Sequence, residues 1–208
     1  PAGTPVMDTR WSSMDGDFVY CSGDGPSDDV GFLKEIIKEL EQELNIDPSR
    51  IYMVGFSSGA QMAYRCAVEM GDQIAAVVES GASHYQNTSY TTQRDVPITF
   101  QLGNMDETWV SGVSEVPMEL FDSLLNNYYV FQRIIKNHTE SFHYQSDYSV
   151  SGDTTVSLTA RFDPLTGGSN REFKITLING LEHKYPNTVN HPMNGAEVNW
   201  EWLRQFSL

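Results

Sequence analysis

The stretch Arg50-Ile51-Tyr52-Met53-Val54-Gly55-Phe56-Ser57-Ser58-Gly59-Ala60 constrains the fold more than any other part of this chain. Apolar Ile51, Met53 and Val54 lead up to Gly55 as a buried strand would, and Ala60, Met62, Ala63, Tyr64, Cys66, Ala67 and Met70 follow at helical spacing. Ser57 stands between the two elements, with a glycine two positions before it and another two positions after. A strand that turns sharply into a helix brings backbone against backbone, and glycine leaves room for that approach. The serine at the apex then presents its hydroxyl at a helix N-terminus, beside the amide of Ser58, which can donate to an oxyanion. An ordinary Gly-Ser turn between a strand and a helix is the alternative reading of the same residues.

The rest of the chain fits around a strand–turn–helix unit. Residues 28–44 read as an amphipathic helix with Leu33, Ile36, Ile37, Leu40 and Leu44 on one face, capped by Ser27 or Asp28 and ended by Asn45 to Pro48. Ile74 to Val78 and Pro97 to Leu102 are short apolar runs of the kind found in buried parallel strands. Most of residues 108–136 reads as one aromatic-rich amphipathic helix, with Trp109 to Met118 available to wall a pocket. The stretches 140–148 and 154–162 alternate like an antiparallel pair turning at Ser151-Gly152-Asp153. Arg171 to Ile178 is the last predicted strand, and a helix from Ala196 to Phe206 places Val198, Trp202 and Phe206 on one face. Residues 1–26, rich in Gly, Pro, Ser and Asp, read as a loop over Trp11 and Phe18-Val19-Tyr20. The expectation is a single α/β domain over residues 1–208, built on a mostly parallel sheet flanked by helices.

Charge narrows the partners. With 28 acidic and 13 basic residues the formal net charge is −15, which disfavours nucleic acid and anionic membrane surfaces and suits a neutral small molecule. No apolar run reaches the length of a membrane span. Two cysteines, Cys21 and Cys66, form neither a metal cluster nor a disulfide framework. Cys66 reads as a buried thiol, and a Cys21–Cys66 bridge is the alternative, which would point to an oxidising compartment. A secreted or periplasmic location is slightly favoured over a cytoplasmic one.

A serine hydroxyl needs a base, normally a histidine oriented by a carboxylate. Ser57, Asp106 and His183 occur in the order Ser, Asp, His, and each follows a predicted strand directly, which brings them to one edge of the sheet. Glu107 and Asp122 are alternative carboxylates. Among the 5 histidines, His191 is the main alternative base and His84 follows the strand after Ser57, while His138 and His143 fall in or beside predicted surface elements. Phe56, Trp109 and Val110 are candidate substrate contacts, and Ser58 is the candidate oxyanion donor. No metal or cofactor is implied.

At these residues the chain resembles the polyhydroxybutyrate-depolymerase-like esterases of the α/β-hydrolase superfamily, which include feruloyl and acetylxylan esterases. The resemblance rests on Asp28-Asp29-Val30-Gly31-Phe32-Leu33, on Ile46-Asp47-Pro48-Ser49-Arg50-Ile51-Tyr52, and on Gly55-Phe56-Ser57-Ser58-Gly59-Ala60 with Met62-Ala63-Tyr64. Gly103-Asn104-Met105-Asp106 is similar to the family's acid loop and Gly180-Leu181-Glu182-His183-Lys184-Tyr185-Pro186 to its histidine loop. That loop departs from the usual Gly-Gly-Gly-His-x-Trp-Pro at Leu181, Glu182 and Tyr185, a change that bears on polymer-chain recognition.

The resemblance implies carboxylic-ester hydrolysis through an acyl-enzyme. A small or short-acyl ester is the first-ranked substrate, and a feruloyl, acetylxylan or polyhydroxyalkanoate ester the alternative. It also implies several N-terminal strands and a His-Gly-Gly type loop, which this sequence lacks. Either the chain is the C-terminal part of a longer protein, or its sheet edge is covered by residues 1–26 or by a second copy in a homo-oligomer, and the expectation is a domain shortened at its N-terminus relative to the family. A non-catalytic, hydrolase-like binding protein is the rival that this departure raises.

Overall fold

The computed structural model describes residues 11, 28–109, 113–166 and 171–208. Val110, Cys21 and Phe18-Val19-Tyr20 lie outside the described residues. A 6-stranded sheet runs through the molecule, with β1 (Tyr52–Phe56), β2 (Ala76–Ser80), β3 (Ile98–Gly103), β4 (Tyr144–Asp153), β5 (Ser157–Pro164) and β6 (Phe173–Ile178) in the spatial order β1-β2-β3-β6-β5-β4. The β1–β2, β2–β3 and β3–β6 pairings are parallel, and β5 and β4 extend the sheet as an antiparallel pair. The sheet is thus mostly parallel and flanked by helices, as the apolar runs predict.

Alternation along the strands sorts the two faces. Val77, Ile98, Phe100, Leu102, Phe173, Ile175 and Leu177 meet α2 (Ser58–Glu69), α4 (Tyr129–Ser141) and part of α1 (Asp29–Glu43) in the main core. Ala76 and Val78 point the other way, against Trp202, Leu203 and Phe206 at the end of α5 (Gly195–Leu203). Phe206 lies just past that helix, and Val198, expected beside it, is exposed.

Several expectations need correction. β1 is not fully buried: it borders the described sheet, Tyr52 reaches the α5 face, and Val54 is 47% exposed. Only Leu33, Ile37 and Val30 of α1 pack on the core, whereas Phe32, Ile36, Leu40 and Leu44 are exposed. The single helix expected within 108–136 is two, α3 (Phe121–Asn127) and α4, separated at Tyr128, whose backbone is extended. Asn126 and Asn127 bond back to the carbonyls of Asp122 and Ser123, the local competition with backbone that favours a helix end. The β4–β5 turn falls at Thr154 to Val156, after the expected position, because Asp153 accepts from both the amide and the hydroxyl of Thr155.

His138 is not at the surface. It is fully buried on α4, with its Nε2 3.1 Å from Glu79 Oε1 and its ring stacked on Phe173 at 4.4 Å. Cys66 is a buried free thiol, and burial pushes its pKa up to about 12. Among the described residues, no helix is long and apolar enough to cross a membrane.

Candidate active site

The turn after β1 has the strained geometry that its sequence suggests. Ser57 has φ 53° and ψ −123°, and caps α2, so the amide of Ser58 stands at the first helical position, where an amide has no intrahelical acceptor. Gly55 is required there, since a Cβ would sit 2.0 Å from the carbonyl oxygen of Gly59. Gly59 is different: the nearest described atom to a Cβ is Trp11 Nε1, at 3.9 Å. The two glycines of the motif therefore answer to different constraints.

Parallel strand order brings three loops together at the carboxyl ends of β1, β3 and β6. Ser57 Oγ lies 3.1 Å from His183 Nε2, and His183 Nδ1 lies 2.8 Å from Asp106 Oδ2. Asp106 is 1% exposed, so its negative charge faces the imidazole in a setting where water screens it little. Of the alternative carboxylates, Asp122 is engaged elsewhere and Glu107 accepts from the backbone amide of His183. Asp122 accepts from the Tyr148 hydroxyl at 2.8 Å, and Glu107 is exposed, its carboxyl held below the usual range first by its own backbone amide.

The alternative histidines are likewise committed. His191 donates from Nε2 to the carbonyl of Asn179 and accepts at Nδ1 from the amide of Met193. His84 stacks on Tyr64 at 4.7 Å, and His143 Nδ1 contacts Asp95 at 2.7 Å.

Beside Ser57 and His183 opens a cavity of about 430 Å³. Ser58, Gln61 and Thr108 line it together with Ser57 and His183, and Tyr85, Trp109, Tyr128 and Val130 form its apolar walls. Trp109 is fixed by its indole N–H, which donates to the carbonyl of Gly81 at 2.8 Å, and it meets the Tyr85 ring edge-on at 6.4 Å. Phe56 does not wall the cavity. It packs against the His183 ring at 4.9 Å, and Gly81 makes that fit possible, since a Cβ there would lie 2.8 Å from Phe56.

Sequence reasoning passed over the residues that hold this arrangement. Asn104, 2% exposed, accepts from the Gly180 amide at 2.7 Å and donates to the Val116 carbonyl, which ties the acid loop to the histidine loop. Gly103 lets the loops touch, because a Cβ there would be 1.8 Å from the Leu181 carbonyl oxygen. Asn137 on α4 donates to the carbonyls of His84 and Gln86, on either side of Tyr85. The strand-end rule that picked out Asp106 also covers Tyr85, which follows β2 closely. Nothing comparable marks Tyr128 or Val130, which reach the cavity only because the helix breaks. Among the described residues, no group of three or more His, Cys, Asp or Glu side chains is arranged to hold a metal ion.

The phospholipase/carboxylesterase family model matches residues 22–145, more than half of the chain. This chain belongs to the phospholipase/carboxylesterase family. It is 26% identical over 136 residues to the bifunctional acetylxylan esterase/xylanase XynS20E of Neocallimastix patriciarum, a match covering 65% of this chain and 17% of that protein. It is 41% identical over 54 residues to feruloyl esterase B of Piromyces equi, covering 26% of this chain and 10% of that one. The matches thus span less than a fifth of the length of these curated relatives. The acetyl xylan esterase from Aspergillus awamori shares the fold of this carboxylesterase-family chain, with a TM-score of 0.54 at 14% identity over 85% of this chain and 67% of that one.

Proposed function

We propose that this chain is a serine carboxylic-ester hydrolase working through an acyl-enzyme, with Ser57 as nucleophile, His183 as general base and Asp106 as the group that orients the base. The observation that carries the proposal is the continuous path Ser57 Oγ–His183 Nε2, His183 Nδ1–Asp106 Oδ2, at 3.1 and 2.8 Å, opening onto the cavity. With Nδ1–H donating to Asp106, the neutral ring leaves Nε2 free to take the Ser57 proton as Oγ attacks the acyl carbon. The negative charge that builds on the carbonyl oxygen is met by the Ser58 amide and by the N-terminal end of α2. His183 then returns the proton to the leaving alcohol, and a water activated by the same ring releases the acid.

A small or short-acyl ester is the first-ranked substrate. A second reading, an ester with an aromatic acyl group, is favoured by the apolar walls of Tyr85, Trp109 and Tyr128 in a cavity of about 430 Å³, several times the size of an acetyl group. The matched relatives named as acetylxylan and feruloyl esterases lie on these two sides of the choice.

Turnover of ethyl acetate, p-nitrophenyl butyrate and methyl ferulate by the purified chain, with fluorophosphonate labelling located by mass spectrometry, tests the proposal. Labelling at Ser57, lost together with turnover in Ser57→Ala, is the expected result. Absence of both labelling and ester turnover in the folded chain would count for the non-catalytic binding protein. Because the ring must be neutral to accept the proton, the rate falls as pH is lowered, and a rate unchanged down to strongly acid pH contradicts the mechanism.

A further inference from the structure

Resting on the Ser57–His183–Asp106 reading, we propose that Thr108 is a positioning residue that holds the Asp106 carboxylate in the rotamer from which it serves His183. The Asp106 oxygens are used asymmetrically. Oδ1 accepts two bonds from one residue, from the Thr108 amide at 3.0 Å and from the Thr108 hydroxyl at 2.5 Å. Oδ2 faces His183 Nδ1 at 2.8 Å. A carboxylate on a freely rotating bond can present either oxygen, or neither, to an imidazole. Two donors on Oδ1 fix that rotation and leave Oδ2 directed at the ring.

The hydroxyl adds something that the amide alone does not supply. Any residue but proline at this position can provide the backbone N–H of an Asx-type turn, but only Ser or Thr brings an O–H to the same oxygen. The β-branched Thr side chain also has few χ1 choices, so the hydroxyl is held in place before reaction. Its single proton is committed to Asp106, and the Thr108 oxygen then turns a lone pair toward His183 Nδ1, 3.4 Å away. As the ring takes the Ser57 proton and becomes cationic, Nδ1–H meets Asp106 Oδ2 as its main acceptor and the Thr108 oxygen as a weaker one. The benefit is greatest in the transition state, so it belongs in kcat more than in KM.

Thr108→Val preserves the branched shape and the amide and removes only the hydroxyl, whereas Thr108→Ser restores the hydroxyl. With p-nitrophenyl butyrate, Thr108→Val is expected to lower kcat by about tenfold or more while KM changes by less than about twofold. Thr108→Ser should recover most of the loss. In an Asp106→Asn background, where the ionised carboxylate is gone, Thr108→Val should cost little further, a coupling that a merely structural role would not produce. Wild-type kcat in Thr108→Val, an equal loss in Thr108→Ser, or the same factor in both backgrounds would each overturn the proposal. Ser57→Ala separates the two levels of the argument. Turnover surviving that change overturns the underlying triad and Thr108's role with it, whereas turnover lost in Ser57→Ala but intact in Thr108→Val overturns only the role of Thr108.

Discussion

The backbone amide of Gly180 donates to Oδ1 of Asn104 at 2.7 Å, and that bond joins the loop carrying Asp106 to the loop carrying His183. The same side chain donates to the Val116 carbonyl at 3.0 Å and to Asn179 Oδ1 at 3.3 Å, so it is used at both ends. Asn104→Ala leaves the Gly180 amide and the Val116 carbonyl without this partner in a nearly closed site. The expected cost is about 1–3 kcal/mol of stability, measured by urea unfolding. Because the His183–Asp106 distance depends on this tie, kcat should fall by more than the stability loss alone explains under conditions where the variant is fully folded.

The motif glycines should respond unequally to alanine. Gly55→Ala drives a methyl into the Gly59 carbonyl, which is backbone and cannot rotate away, and the expected loss is about 3 kcal/mol or more. Gly59→Ala meets ordinary contact with Trp11 and gains helix propensity, so its unfolding midpoint should match or exceed that of the parent. Thermal melts followed by circular dichroism distinguish the two, and equal destabilisation would refute the assignment.

Trp109 is expected to set selectivity by size. Trp109→Ala removes an indole that packs at 5.7 Å from Phe100 and 5.8 Å from Phe131, and opens the wall of the cavity. KM for methyl ferulate should rise by about tenfold, while kcat/KM for ethyl acetate changes much less, since a small acyl group does not reach that wall. Trp109→Phe keeps a ring but loses the bond to the Gly81 carbonyl, and should lie between the two. A uniform effect on both esters would place Trp109 outside the substrate path.

Acid sensitivity should be traceable to Glu172. It accepts from Trp202 Nε1 at 2.7 Å and pairs with Arg161 at 2.6 Å and Lys174 at 3.1 Å. Burial acts to raise its pKa, but Lys174, the Trp202 bond and Arg161 outweigh burial and hold the carboxyl below the usual 4.5. The same burial lowers Lys174, so the gain from the pair is registered on the carboxylate. A depressed folded pKa contributes stability that is fully present above the unfolded value and is lost as pH falls through the folded one. Glu172→Gln should therefore be less stable than the parent at pH 7, by about 1–3 kcal/mol, and the gap should close as pH drops below 4.5. A gap independent of pH would assign the effect to packing.

What could be read in advance followed from local pattern. The β1–α2 turn, the order Ser57, Asp106, His183 and the placement of each after a strand depend on residues near one another in sequence, where apolar period and turn chemistry act. The break at Tyr128 was missed because apolar residues continue through it, and only the side-chain bonds of Asn126 and Asn127 mark the helix end. The burial of His138 was missed because a histidine beside polar neighbours looks solvated until α4 is laid on the sheet above Glu79.

The sequence by itself determined the α/β alternation and the Gly55–Ser57–Gly59 turn, since both arise from backbone sterics and the periodicity of short segments. Tertiary structure alone decided that Asn104 ties the two loops together, that Phe56 lies against His183 while Tyr85, Tyr128 and Val130 wall the cavity, and that Gly103 admits the Leu181 carbonyl. Each of these contacts joins residues brought together by parallel strand pairing or by the packing of α4, and such a contact leaves no periodic trace in either segment.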